Sequence, residues 1–465
     1  MVKAGFLDRT LSQLRSAWKD IAGRGKFAPR PDLPAADRKR LREDMAECLE
    51  GRGGEVSARA RAADLGRAYL TLDTGGRARF LSLLATDFAA DGALVDEAIA
   101  EVGAAGDPEA RMRAESALSR ALLSPRKRLL MQFNGLPEGI KFLVDLRADL
   151  LEICHESPPL KGLDADLKDL LRSWFDIGFL KLERITWDAP ATLLEKLMAY
   201  EAVHEIQSWD DLKNRLDSDR RCFAFFHPHM PDEPLIFVEV ALVSGMAGNI
   251  QALLDEQAPA SDADDADTAI FYSISNAQIG LTGISFGGFL IKRVVDSLAA
   301  ERKNLKNFAT LSPIPGFRRW LGRLLDDGDE TLLTESEATA LAKHSFTDNG
   351  NDALRSLLSI AWHEDDKTAA LLKRPLCRLC ARYLLDEKSP IGPIDSVARF
   401  HLRNGAGIER INCLADTSRR GLDESAGMMV NYLYRLDKIE SNHEAFTGEG
   451  RIVASKAVRA MEQAK

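Results

Sequence analysis

Three stretches of this sequence hold residues whose types and spacing could do chemistry. The first is Thr282-Gly-Ile-Ser-Phe-Gly-Gly288, set between a strand-like run, Ala269 to Ser275, and a helix-like one, Phe289 to Ala300. Its glycines let a backbone approach a ligand closely, and free amides at a helix start attract phosphate. Lys292 and Arg293 follow within a turn. One reading is a pyrophosphate cradle built from Thr282, Gly283, Ile284, Ser285, Phe286, Gly287 and Gly288. The other is a helix start with glycines for tight packing, and spacing alone weighs the two equally. The same turn fits G-x-S-x-G through Gly283, Ser285 and Gly287, a nucleophile elbow that makes Ser285 the nucleophile of a serine hydrolase or thioesterase. His401 or His443 would then be the base, and Asp326, Asp327 or Asp395 the acid. This alternative ranks second. The strands before the turn read as hairpins, whereas an α/β hydrolase needs alternating strands and helices. The motif also arises by chance in a chain with 33 glycines.

The second stretch, Thr310-Leu-Ser-Pro-Ile-Pro-Gly316, ends a short strand and sets Ser312 ahead of two prolines. Prolines at alternate positions fix φ and remove amide donors, so the segment is stiff and its hydroxyl has a set orientation. A structural turn with a capping serine looks the same, and taken alone the stretch favours that reading. The third, Arg399-Phe-His-Leu-Arg-Asn-Gly-Ala406, places His401 between Phe and Leu, where a histidine is often a satisfied core residue. Asn404-Gly405 supplies a turn and an amide able to orient the ring or a ligand. Asn431-Tyr-Leu-Tyr434 adds two phenols at the end of a segment, Glu424 to Tyr434, that reads as one helix. At that spacing tyrosines are more often core than catalytic. His227-Pro-His229 puts two imidazoles on one face of an extended segment. Two ligands make no metal site, and Cys377 and Cys380 lack a second pair and share a helix face behind Pro375. No metal is expected.

The elements that must position these groups fall into two halves. At 465 residues the chain is too long for one ordinary core. Residues 1–178 read as an all-α helical bundle, with apolar residues at helical spacing in Leu11 to Ile21, Leu41 to Leu49, Leu65 to Leu72 and Phe80 to Phe88. Glycine and proline punctuate the breaks, and no polar cluster there suggests chemistry. Residues 179–465 read as α+β, opening with the alternating run Phe179 to Thr186 and the hairpin Cys222 to Leu242. A net charge of −9 disfavours a nucleic-acid partner. No apolar run is long enough to cross a bilayer. The six scattered cysteines read as free thiols of a reducing compartment. With no signal-peptide core in Met1 to Lys26, the expected location is cytoplasmic.

Taken together, the segments resemble the malonyl-CoA decarboxylase family. The resemblance rests on Phe271-Tyr-Ser-Ile-Ser275 with the glycine turn, Phe289 to Val295, Leu311-Ser-Pro-Ile-Pro-Gly-Phe317 and Phe400-His-Leu-Arg-Asn-Gly-Ala406. Ala415-Asp-Thr-Ser-Arg-Arg-Gly421 and Asn431-Tyr-Leu-Tyr434 close it, and Leu180 to Asp188 and Glu233 to Leu242 extend it upstream. It runs from about residue 179 to about 440, in order. It implies a helical oligomerisation domain, 1–178, followed by a catalytic domain of the GNAT acetyltransferase fold, 179–465. In that fold a strand–turn–helix binds the CoA pyrophosphate through backbone amides. That role falls on Thr282 to Gly288 and displaces the elbow reading of Ser285. The family's catalytic serine falls on Ser312, its histidine on His401, and a tyrosine near the active site on Tyr434. Some relatives carry an acid where this chain has Ser285. The family also implies a homo-oligomer, with a tetramer as the expected number. A C-terminus of Gln463-Ala-Lys465, without a peroxisomal tripeptide, fits a cytoplasmic, bacterial member.

The implied reaction, malonyl-CoA to acetyl-CoA and carbon dioxide, demands no organic or metal cofactor, because the thioester is its own electron sink. It needs the carboxylate turned out of the carbonyl plane, donors for the enolate oxygen, and a proton for carbon. Ser312 and His401 are expected to form the dyad that does this. His401 is the expected proton donor, because an unperturbed histidine titrates near working pH.

Overall fold

Helices fill the first part of the chain, and their starts are written into the sequence. They span Ala35–Glu50, Gly54–Leu70, Thr74–Asp87, Gly92–Ala104, Pro108–Leu122, Pro125–Phe133, Gly139–Ile153 and Pro158–Trp174. Asp73 accepts from Gly76 N, Asp107 from Ala110 N and Ser124 from Lys127 N, and Pro108, Pro125 and Pro158 open their helices. The computed structural model describes Trp18 and residues 27–50, 54–175, 177–284, 290–389 and 392–463. Ser285, Phe286, Gly287 and Gly288 of the glycine turn lie outside the described residues.

A mixed sheet-and-helix region follows. Its strands are β1 (Lys181–Ile185), β2 (Arg220–Phe226), β3 (Ile236–Val243), β4 (Thr268–Asn276), β5 (Asn307–Thr310), β6 (Ser312–Pro313), β7 (Lys388–Ser389), β8 (Gly392–Pro393), β9 (Gly407–Asn412) and β10 (Met429–Leu433). Eight of them form one sheet in the order β1-β2-β3-β4-β5-β10-β6, with β9 also on β10. β1 to β4 pair antiparallel in chain order, β2 and β3 as the expected hairpin and the other two pairs across intervening helices, and β4 to β5 is the one parallel pairing among the described strands. Every residue of β2 is buried, so the strand is apolar nearly throughout rather than alternating. One continuous core joins Leu143 and Leu167 of the helical half to Phe225, Val238 and Phe271 of the sheet and to Tyr434.

The segment 424–434 departs from expectation. A short helix, Arg419–Ser425, ends at Ala426 and Gly427, both in the left-handed region, and Met429–Leu433 is a strand. Val430, Tyr432 and the apolar residues around them fit a buried strand as well as a helix face, and pairing to β5, β6 and β9 decides it. Tyr432 and Tyr434, two apart, then point to the same side. Pro375 also lies inside the helix Asp366–Leu385 rather than at a start. No described helix is long and apolar enough to cross a membrane.

Candidate active site

Ser312 owes its placement to a local exchange of hydrogen-bond partners. Val430 pairs with Ser312 and Leu433 with Ala309. Between them the backbone ladder gives way to side chains. Thr310 Oγ1 accepts from Tyr432 N at 3.1 Å, and Asn431 Nδ2 donates to Thr310 O at 2.7 Å. Pro313 has no N–H to offer and lies on the sheet's terminal strand, where one is not needed. Thr310 and Ser312 share a strand face, and Ser312 Oγ donates to Thr310 Oγ1 at 2.8 Å.

His401 comes from the helix Ser396–Arg403. Asp395 caps its start, accepting from Ala398 N at 2.9 Å. Its end is sealed by Ala406 N donating to His401 O and by Gly405 at φ +83°. A side chain at Gly405 would drive its Cβ into the Ile439 carbonyl, so the helix stops where it does only with glycine there. Asn404 donates its amide to Phe400 O at 2.8 Å, at the helix end.

The imidazole is 2 % exposed. Its Nε2 lies 3.0 Å from Ser312 Oγ and its Nδ1 2.8 Å from the Tyr434 hydroxyl, while its face stacks on Tyr432 at 4.5 Å and 24°. Since Ser312 gives its proton to Thr310, Nε2–H donates to Ser312, and Nδ1 is left to accept from Tyr434. Burial pushes the His401 pKa down to about 3, so the ring is neutral at physiological pH. This corrects the reason for expecting His401 as proton donor. Desolvation removes the imidazolium, and only the neutral ring's single N–H is on offer. Burial likewise holds the Tyr434 phenol well above its ordinary value, so it stays protonated and able to donate.

Ser312 and His401 open onto a cavity of about 210 Å³ lined also by Phe271, Ile274, Asn276, Val397 and Phe400. No lysine, arginine, aspartate or glutamate is among its described lining residues. The first half of the glycine turn is set by the helical half of the chain. Gly280 packs against the Val144 carbonyl, and Arg147 Nη1 donates to Gly280 O at 2.6 Å and Thr282 O at 2.9 Å. Of the expected cations, Lys292 is paired with Glu440 at 2.6 Å and Arg293 donates to Leu180 O at 2.9 Å.

The hydrolase constellation does not form among the described residues. Both His401 nitrogens meet hydroxyls, not a carboxylate, and His443 Nδ1 is bonded to the Arg403 carbonyl. Asp326 pairs with Arg355, and Asp395 caps its own helix through Oδ1 rather than meeting His401. His227 and His229 stack on each other at 5.3 Å. Among the described residues no three His, Cys, Asp or Glu side chains are grouped to hold a metal. Sequence reasoning missed Thr310, Tyr432 and Arg147. Thr310 was within reach, because residues two apart on a strand share a face. Arg147 lies 133 residues from Gly280 and carries no local signal.

Two family profiles match the chain: malonyl-CoA decarboxylase N-terminal domain over residues 88–175 and malonyl-CoA decarboxylase C-terminal domain over residues 178–465. The mitochondrial malonyl-CoA decarboxylase of Anser anser anser is 42% identical over 419 residues, 86% of this chain and 83% of that protein. That of Rattus norvegicus is 40% identical over 399 residues, 82% of this chain and 81% of that protein. The crystal structure of malonyl-CoA decarboxylase from Rhodopseudomonas palustris superposes with a TM-score of 0.83 at 44% identity, covering 91% of this chain and 99% of that one. The Agrobacterium vitis malonyl-CoA decarboxylase gives 0.81 at 42% identity, covering 91% of this chain and 99% of that one. With the site geometry in place and both halves matched, the chain belongs to the malonyl-CoA decarboxylase family.

Proposed function

We propose that this chain, a carboxy-lyase by its family, converts malonyl-CoA to acetyl-CoA and carbon dioxide, with Ser312, His401 and Tyr434 as its working groups. The observation that carries this reading is the buried run of hydroxyl, imidazole and phenol, of which Ser312 and His401 face a cavity whose described lining residues bear no charge. Breaking the bond between C2 and the carboxylate sends its electron pair into the thioester carbonyl and releases carbon dioxide. A cation at the carboxylate would stabilise the ground state, whose charge sits there, more than the transition state, whose charge is leaving. Neutral donors at the thioester oxygen work the other way. The enolate then takes a proton at C2 from the Ser312–His401 pair, with Tyr434 held against Nδ1, and water restores the proton. The thioester is the electron sink, so the reading uses no organic or metal cofactor.

The test is incubation of purified protein with malonyl-CoA alone, followed by mass spectrometry. Acetyl-CoA is the expected product. Free CoA with malonate would instead mean hydrolysis and return Ser285 to consideration.

Thr310 sets the direction of the hydrogen bonds, so Thr310→Val is expected to lower turnover about tenfold, the scale of one hydrogen bond of ~1.4 kcal/mol. Thr310→Ser keeps the hydroxyl and is expected to restore most of the rate. Steady-state kinetics on the two variants separates loss of the hydroxyl from loss of packing.

We also assign the sheet region to the GNAT acetyltransferase type, supported by a mostly antiparallel sheet and by β4 being followed by a turn, Ile279–Leu281, and a helix, Leu290–Glu301. A homo-oligomer is supported by Leu94, Ile99, Met112 and Leu122, exposed large apolar residues on two adjacent helices of the N-terminal half.

A further inference from the structure

We propose that Lys168, on the last helix of the N-terminal half, is the cation that holds the phosphate end of the CoA ester; this rests on the reading of the substrate given above. The helix Pro158–Trp174 presents Asp164 and Lys168 one turn apart. Asp164 is taken by Arg147, whose Nε donates to it at 2.8 Å while Nη1 holds the carbonyls of Gly280 and Thr282. The carbonyl side of the turn is thereby occupied, and Asp164 is not available to Lys168. One turn further on, the lysine reaches Gly283.

Gly283 stands at φ +74°, a conformation that side chains disfavour. A Cβ there would also come 3.1 Å from Lys168 Nζ and 3.5 Å from its Cε. Glycine at this position therefore lets the ammonium lie over the bare backbone. Lys168 makes no ion pair or hydrogen bond among the described residues, and the exposed Gly283 N–H meets no acceptor among them. An ammonium and an exposed backbone amide, both without a partner among the described residues, thus lie side by side, and the two together are what an anion needs. The two cations that follow the turn in sequence are engaged elsewhere: Lys292 with Glu440 and Arg293 with the Leu180 carbonyl. The phosphate-binding charge thus comes from the helical half of the chain, which makes that half part of the substrate site.

The experiment is titration calorimetry of the full-length protein with CoA, dephospho-CoA and pantetheine, for the wild type, Lys168→Ala, Lys168→Glu and Lys168→Arg. Lys168→Ala is expected to weaken CoA binding about tenfold, Lys168→Glu more, and Lys168→Arg little, in line with one charge-assisted contact. Pantetheine, which carries no phosphate, is expected to bind all four alike. If dephospho-CoA shows the same loss as CoA, Lys168 contacts the diphosphate; if the loss vanishes, it contacts the 3′-phosphate. Equal affinity of wild type and Lys168→Glu for CoA would overturn the proposal. So would a parallel loss for pantetheine, since that is what a merely structural lysine gives. Because binding is read without turnover, a protein that binds CoA but leaves malonyl-CoA intact sinks the decarboxylase reading and not this one. If the wild type binds no CoA, both fall.

Discussion

His401→Asn is expected to lower the turnover of malonyl-CoA by about 100- to 10,000-fold, the range that a positioned proton donor contributes. The ring is tied at both nitrogens, to Ser312 and to Tyr434, and it is stacked on Tyr432. Its replacement removes the group that bridges the serine to the phenol. Circular dichroism should show the native fold and calorimetry near-native CoA affinity, so that the loss falls on turnover. A variant that turns over at the wild-type rate would remove His401 from the mechanism. The acid behaviour of the same residue follows from its burial. Its native pKa is about 3, below its unfolded value of ~6.5. Between those values the unfolded chain binds a proton that the native chain refuses. The stability that His401 contributes is therefore full above ~6.5 and is lost as pH falls towards 3. Denaturant midpoints measured at pH 7 and pH 5 should fall less in His401→Asn than in the wild type. For the same reason the wild-type rate should show no His401 limb near pH 6.5; such a limb, abolished in the variant, would mean the ring is protonated in the working enzyme.

The second large effect is expected at Arg147, far from the reacting atoms. This side chain is 1 % exposed and ties Asp164 on one helix to two carbonyls of the turn after β4. Arg147→Leu leaves the Asp164 carboxylate without its partner and the Gly280 and Thr282 carbonyls without a donor. Asp164 is partly exposed, so the cost is on the order of 1–3 kcal/mol, that of polar groups left without a partner. On the proposed reading of the turn as a CoA site, weaker CoA binding should accompany the loss of stability. Equilibrium denaturation checks the first and calorimetry the second. Unchanged values in both would mean that the two halves are held together by apolar packing alone.

Several of these features were legible in the sequence. Strand-forming residues on either side of Pro231-Asp-Glu-Pro234 place β2 and β3 as a hairpin, because its strands, turn and register are neighbours in the chain. Asp107-Pro108 marks a helix start for the same local reason. Ser312 between β5 and a pair of prolines, and His401 ahead of Asn404-Gly405, stand out as residue types in stiff surroundings. What tertiary structure alone decided is how these pieces meet. The run 424–434 has an apolar pattern compatible with helix or strand, and it became β10 only because a slot beside β5 and β6 was there to be filled. That pairing in turn brought Tyr432 beneath His401 and Tyr434 onto its Nδ1. The protonation state of His401 depends on exclusion of water by segments 89 and 33 residues away, and no local pattern encodes that. The placement of Arg147 and Lys168 against the turn has the same origin. Propensity, capping and turn signals act over a few residues, whereas desolvation and the pairing of charges depend on which surfaces the folded chain brings into contact.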